Sequence, residues 1–326
     1  MSPRWTILPA CSLILLAGCA TPPPRLEPRT FAATSPVQAL ASRTLDKDDA
    51  LLIGAGDIVR CGRAGRFAMA TADLVELFPT ARVFAAGDDA YLNGTAAEFQ
   101  NCYEPTWGRF KERTSPAPGN HDYGIYKAPK RNNADPYFAY FGANAGPPGL
   151  GYYSYDLGGW HVVSLNSMAD QPGAPAMADQ VKWLEDDLDR SEKPCILAYW
   201  HHPLFSSGDQ HGDQPDDPGR FMGPLWDVLL QHQADVILNG HDHHYERFAL
   251  QDTTAAPTPA GIRQFIVGTG GGEERGIGTV KANSEKRLAH LYGVLLMTLH
   301  PDSYEWHFVN VDGTVDDSSS GPNKCH

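Results

Sequence analysis

Ala234-Asp235-Val236-Ile237-Leu238-Asn239-Gly240-His241-Asp242-His243-His244-Tyr245-Glu246-Arg247 begins as an apolar run and ends in a cluster of donor side chains. Its first part, Ala234–Leu238, has the length and composition of a buried strand. It passes through Gly240 into two histidines separated by one residue. A lone His-x-His pair is more often solvated than metallated, so its meaning depends on the rest of the chain. Three other apolar runs end the same way. Ala50–Ala55 leads to Gly56-Asp57, and Arg82–Ala86 leads to Gly87-Asp88 with Tyr91 three residues on. Cys195–Trp200 runs into His201-His202-Pro203. A fifth segment, Pro118-Gly119-Asn120-His121-Asp122, falls in a predicted loop. An Asp after a strand is usually a turn former or helix cap. Five donor-rich segments in one chain are more than turn chemistry requires. Ligands of α/β sheets bind beyond the carboxyl ends of the strands, where these residues lie.

Further out, His161–Leu165 and Gln264–Val267 also read as strands. Gly65–Phe78 and Asp179–Arg190 read as helices, the second with Val181, Leu184 and Leu188 on one face. Tyr292–Val311 reads as two strands about a turn at Pro301-Asp302, and Tyr152–Tyr155 with Trp160-His161 as another strand pair. Alternating strands and helices followed by paired strands predict an α/β fold with two sheets in layers. Gly268–Gly272 lacks the Lys and Ser/Thr of a phosphate-binding loop and reads as a turn after a strand.

The five motifs together resemble the calcineurin-like metallophosphoesterases, most closely their purple acid phosphatase branch. That branch carries an Asp motif, Gly-Asp-x-x-Tyr, Gly-Asn-His-Glu/Asp, a strand-end His, and Gly-His-x-His-x-Tyr-Glu-Arg. The resemblance covers about residues 50–312 and implies a two-sheet metallophosphatase sandwich in α/β-β/α layers. Many metallophosphoesterases place a histidine two residues after the first Asp. Here that position is Val59, and Tyr91 supplies the missing ligand in the branch's pattern. By motif position, the resemblance implies that Asp57, Tyr91 and His243 bind one metal. Asn120, His201 and His241 would bind the second, and Asp88 would bridge the two. Oxygen and imidazole donors suit Fe paired with Zn, Mn or a second Fe. The implied reaction is attack of metal-bound hydroxide on a phosphate monoester, with small phosphorylated compounds as substrates.

His121 follows the Asn ligand, and by resemblance it contacts the phosphate or holds that site in place. His211 lies ten residues past His201, where the family has histidines that bind substrate or protonate the leaving oxygen; its surroundings, Asp209–Asp217, otherwise read as a plain polar loop. His202 is either a supporting residue or a competitor of His201, and the His-x-Pro match favours His201. His161, His290, His300 and His307 read as structural. Asp122 stands where many plant and animal members have Glu, which leaves substrate preference open.

The chain has 326 residues, a net charge of -13 and 42% hydrophobic residues, enough for a substantial core. No basic run suggests a nucleic-acid groove. Ile7 to Ala17 is apolar but too short to span a membrane. Leu16-Ala17-Gly18-Cys19 resembles the lipobox of bacterial lipoprotein signals, which implies cleavage before Cys19 and a lipid on its sulfur. Residues 1–18 then form a signal peptide and 19–47 a flexible, Pro-rich tether. Residues 48–315 form the catalytic domain, and the polar tail 316–326 is loosely ordered unless Cys325 pins it. The expected location is the bacterial cell envelope, lipid-anchored on a periplasmic or extracellular face. Cys61, Cys102, Cys195 and Cys325 remain, an even number that allows two disulfides in three connectivities. Cys61–Cys102 with Cys195–Cys325 is the favoured one. Competing readings are a phosphodiesterase using the same metals and a non-catalytic metal-binding surface lipoprotein.

Overall fold

The computed structural model describes residues 29–62, 65–124, 133–212 and 217–326. The expected signal peptide and Cys19 lie outside the described residues. In chain order the strands of the first half are β1 (Ala50–Ala55), β2 (Val59–Arg60), β3 (Arg82–Ala86), β4 (Ala90–Tyr91) and β5 (Thr114–Ala117). Next come β6 (Tyr153–Leu157), β7 (Trp160–Ser164), β8 (Cys195–Trp200), β9 (Val236–Asn239), β10 (Tyr245–Phe248) and β11 (Arg263–Val267). The last are β12 (Ser284–Leu288), β13 (Gly293–His300), β14 (Ser303–Asn310), β15 (Val315–Ser318) and β16 (Asn323–Lys324). The helices are α1 (Pro36–Ala41), α2 (Gly65–Glu76), the single turn α3 (Ala96–Glu98), α4 (Asp135–Phe141), α5 (Met177–Leu188) and α6 (Gly223–Gln231).

Apart from β2 and β4, which pair with each other, the strands form two seven-stranded sheets. One runs β15-β14-β13-β1-β3-β5 with β16 paired to β14, and the other runs β12-β10-β11-β9-β8-β7-β6. Strands β1, β3 and β5 are mutually parallel, as are β7, β8, β9 and β11. A parallel strand covered on both faces reads as a continuous apolar run, and β8 shows why. Cys195, Leu197 and Tyr199 point into the core between the sheets. Ile196, Ala198 and Trp200 point the other way, into a second core with Leu184 and Leu188 of α5 and Leu225, Trp226 and Leu229 of α6. On the first sheet, Ala68, Ala72, Leu74 and Val75 of α2 join the main core. The layers are therefore those of the expected α/β two-sheet sandwich.

One segment differs from its sequence reading. Residues 29–47, part of the expected tether, pack on the domain from Arg29 onward. The Arg29 N–H donates to Asp73 at 2.9 Å, and Val37 in α1 is fully buried with Phe31 and Leu40 beside it. Fewer than two helical turns carry too few apolar positions to register as a period. The tail is built in, as expected where Cys325 pins it: β15 pairs with β14, and Asp317 accepts hydrogen bonds from Tyr245 (2.8 Å) and Arg247 (2.7 Å). Cys325 is bridged to Cys195, and Cys61 to Cys102, in the favoured connectivity.

Candidate metal centre

Because β1, β3 and β5 run parallel in one sheet and β8 and β9 in the other, their carboxyl ends deliver side chains to one common edge. Asp57 follows β1, Asp88 follows β3, Asn120 follows β5, His201 follows β8, and His241 and His243 follow β9. Tyr91 arrives on β4, which pairs with β2 just beyond Asp57. Three of these residues hold left-handed backbone, with φ of 60° at Asp57, 54° at Asp88 and 70° at His241. Each such residue costs about 1–2 kcal/mol, and strain of this kind persists where the surroundings over-determine it. The turns are also crowded. A Cβ on Gly87 would lie 2.7 Å from the His201 ring, and one on Gly119 would lie 2.2 Å from an Asp88 carboxylate oxygen.

The side chains meet in two adjoining groups. In the first, the Tyr91 hydroxyl donates to Asp57 Oδ1 at 2.6 Å and lies 3.1 Å from His243 Nε2, which is 3.2 Å from the same Asp57 oxygen. In the second, His201 Nε2 is 3.1 Å from Asn120 Oδ1, 3.2 Å from Asp88 Oδ2 and 3.2 Å from His241 Nδ1. Donor atoms of Asp57, Asp88 and His201 all lie within 4.8 Å of one another, so the groups share an edge at Asp88. Separations near 3 Å are those of neighbouring ligands around a cation with bonds of about 2.1 Å at right angles. The imidazoles are oriented for that use. His201 Nδ1 lies 2.8 Å from the Ala86 carbonyl and His243 Nδ1 lies 3.0 Å from the Glu273 carbonyl. Each Nδ1–H donates to a carbonyl, which leaves the Nε2 lone pair facing the cluster. The donor set therefore fits a pair of metal ions.

The electrostatics agree. Asp57 and Asp88 form no ion pair with Lys or Arg among the described residues; their charged partners are histidines. Burial pushes the Asp88 carboxyl up, but His201 and His121 outweigh it and hold the group well below the usual range. Burial likewise opposes protonation of His201, yet Asp88 and Asp57 raise its pKa to about 10. Burial, then His211 and His201, holds His241 well below the ordinary value. Burial, then Asp57 and Asp88, keeps the Tyr91 phenol well above its ordinary value.

The two other histidines singled out in the sequence flank the cluster. The His121 backbone N–H donates to Asp88 Oδ1 at 2.8 Å, and its ring lies 4.5 Å from Tyr91 with Nε2 3.8 Å from Asp88 Oδ2. His211 is partly exposed, its ring 4.0 Å from that of His241. His202 is fully buried beside His241, its Nδ1 2.8 Å from Ser167 Oγ. Sequence reasoning missed three supports. Asp217 lies 2.8 Å from His241 Nε2, from a loop with no periodic signal. The Gly268–Gly272 turn lines Asp57, with the Gly272 N–H donating to the Asp57 carbonyl at 2.8 Å, and the next residue supplies the carbonyl that orients His243. Glu246 accepts from the Ser207 N–H at 2.9 Å, which ties the His211 loop to the motif containing His241 and His243. The repeated glycines marked the second support and the final motif contained the third without showing its task; Asp217 left no mark.

The sequence profile of the calcineurin-like phosphoesterases matches residues 37–245. The chain belongs to that family. Among curated proteins, purple acid phosphatase 15 of Arabidopsis thaliana is 30% identical over 221 residues, covering 59% of this chain and 40% of that protein. Probable purple acid phosphatase 20 of the same plant is 26% identical over 261 residues, covering 71% of this chain and 58% of the relative. The chain thus spans about half the length of these relatives. The solved structure of purple acid phosphatase PPD1 from yellow lupin (Lupinus luteus) seeds superposes with a TM-score of 0.64 at 18% identity, over 83% of this chain and 53% of that one. That likeness concerns the fold.

Proposed function

We propose that the chain hydrolyses phosphate monoesters at a dinuclear metal centre. Asp57, Tyr91 and His243 hold one ion, Asn120, His201 and His241 hold the other, and Asp88 bridges them. The observation that carries this reading is the meeting of seven oxygen and imidazole donors from two sheets, about 3 Å apart, at one buried edge. Two cations bound there would lower the pKa of a water and clamp phosphate oxygens. His121, beside both Tyr91 and Asp88, gives its Nδ1–H to the Leu92 carbonyl at 2.6 Å, so it would donate to a phosphate oxygen through Nε2 as the imidazolium. His211, partly exposed and 4.0 Å from the His241 ring, would protonate the departing alcohol oxygen. Fe with Zn, Mn or a second Fe suits this donor set. Substrates are small phosphorylated compounds, and the lipid on Cys19 holds the enzyme on the bacterial envelope.

Metal analysis of the purified protein, with monoester and diester assays on the metal-loaded form, tests the proposal. It requires two ions per chain and faster turnover of monoesters. In Asp88→Ala both ions and the activity should go together. Full turnover by that variant would remove the bridge, and a diester preference would make the chain a phosphodiesterase.

A further inference from the structure

Resting on the dinuclear reading above, we propose that Asp217 is a positioning residue that fixes the tautomer of His241. His201 and His243 donate their Nδ1–H to backbone carbonyls, of Ala86 and Glu273, and face the cluster through Nε2. His241 is turned the other way. Its Nδ1 faces the cluster, 3.2 Å from His201 Nε2, and its Nε2 lies 2.8 Å from Asp217 Oδ2. A neutral imidazole carries one N–H, and a carboxylate only accepts. The proton therefore sits on Nε2, and the Nδ1 lone pair is left for the cation. Both residues are largely buried, at 9% exposure for Asp217 and 6% for His241, so water competes poorly for this bond.

Among these three imidazoles, His241 is thus the one whose orientation depends on a replaceable side chain. Backbone carbonyls cannot be lost by mutation; Asp217 can. The second carboxylate oxygen is engaged as well, because Oδ1 accepts from the Gly219 N–H at 2.8 Å and caps the short helical turn Pro218–Phe221. The same Oδ2 lies 3.5 Å from His211 Nδ1, so one carboxylate borders both the proposed ligand and the proposed acid.

Asp217→Ser separates the two jobs. Serine caps as well as aspartate, but it is too short to reach His241. The full-length chain, stripped of metal, is titrated with Zn²⁺ by calorimetry, and the imidazole nitrogens of His241 are observed by ¹⁵N NMR before metal is added. The wild type is expected to show the Nε2–H tautomer and two Zn²⁺ sites. In Asp217→Ser, one site should weaken by about 10–100-fold, the usual effect of losing such a partner. The other site and the metal-free melting temperature should stay as in the wild type. Two equally tight sites in the variant, or an Nδ1–H tautomer in the wild type, would overturn the inference. So would a large drop in metal-free melting temperature, which the retained cap would not cause and which would make Asp217 a general support of the fold. A wild type that binds no stoichiometric Zn²⁺ would instead sink the dinuclear reading itself.

Discussion

Gly87→Ala should disable the centre without altering any proposed ligand. Gly87 adopts φ +82°, and an added Cβ would lie 2.7 Å from Cβ, Cγ and Nδ1 of His201. To restore an ordinary contact near 3.4 Å, the ring has to retreat by about 0.7 Å. Metal–ligand distances tolerate only about 0.2 Å, so the shift is several times too large for His201 to keep its place. His201 has little room to comply, because its Nδ1 is held by the Ala86 carbonyl and the side chain is fully buried. The left-handed backbone adds about 1–2 kcal/mol of strain once the residue has a side chain. Gly149→Ala supplies the control. It adopts φ +79° and has nothing within 4 Å of an added Cβ, so it carries the strain without touching the site. The assay pairs thermal unfolding of the metal-free proteins with Zn²⁺ titration and monoester turnover. Both variants should lose stability, but only Gly87→Ala should lose one metal site and about 100-fold in turnover, the order expected for a reacting group displaced by about 1 Å. Gly87→Ala with two intact sites and normal turnover would show that His201 is not a ligand, or that the edge is softer than its packing implies.

Tyr91→Phe keeps the ring but removes the hydroxyl that meets Asp57 and His243; iron-loaded protein should lose its visible tyrosinate band, and an unchanged spectrum would strike Tyr91 from the ligand set. Cys195→Ser with Cys325→Ser opens a bridge across 130 residues, worth about 5 kcal/mol by loop entropy. Melting should fall by roughly 8 °C for a chain of this size, while turnover well below the melting point stays unchanged; lost activity there would place the bridge nearer the chemistry than the amino end of β8. His161 lies 2.9 Å from both Asp156 and Asp187, and although burial opposes its protonation, these carboxylates raise its pKa. A raised folded-state pKa stabilises fully below the unfolded value near 6.5 and is lost as pH climbs through the folded one. His161→Gln should therefore destabilise more at about pH 5.5 than at about pH 8.5, and equal losses at both would mean that the carboxylates do not act on its charge.

How much of this was legible in the sequence follows from where each piece of information resides. β1, β3 and β8 span the residues their apolar runs mark, because strands covered on both faces must be apolar throughout. β9 begins two residues later than its run, at Val236; Asp235 just before it accepts the Ile196 N–H on its carboxylate at 2.9 Å, while its backbone also bonds to Ile196 and Arg263. The meeting of the donors was legible for a similar reason. Parallel strands bring all their carboxyl ends to one edge, so a residue that follows such a strand is located by topology alone.

What stayed hidden is whatever the chain does through backbone atoms or through side chains with no periodic neighbours. The carbonyls of Ala86 and Glu273 orient two imidazoles, and any residue type could have supplied them. Asp217 sits in a polar loop, where one more aspartate carries no signal until the fold sets it against a histidine 24 residues on. The Tyr245-Glu246-Arg247 triplet falls between these cases. It was legible as part of a motif, but its task was not. Tyr245 and Arg247 grip Asp317 in the tail, and Glu246 grips Ser207 in the loop before His211. A motif that begins by supplying donors thus ends by fastening two distant segments around them, which accounts for specific residues beyond the last proposed ligand.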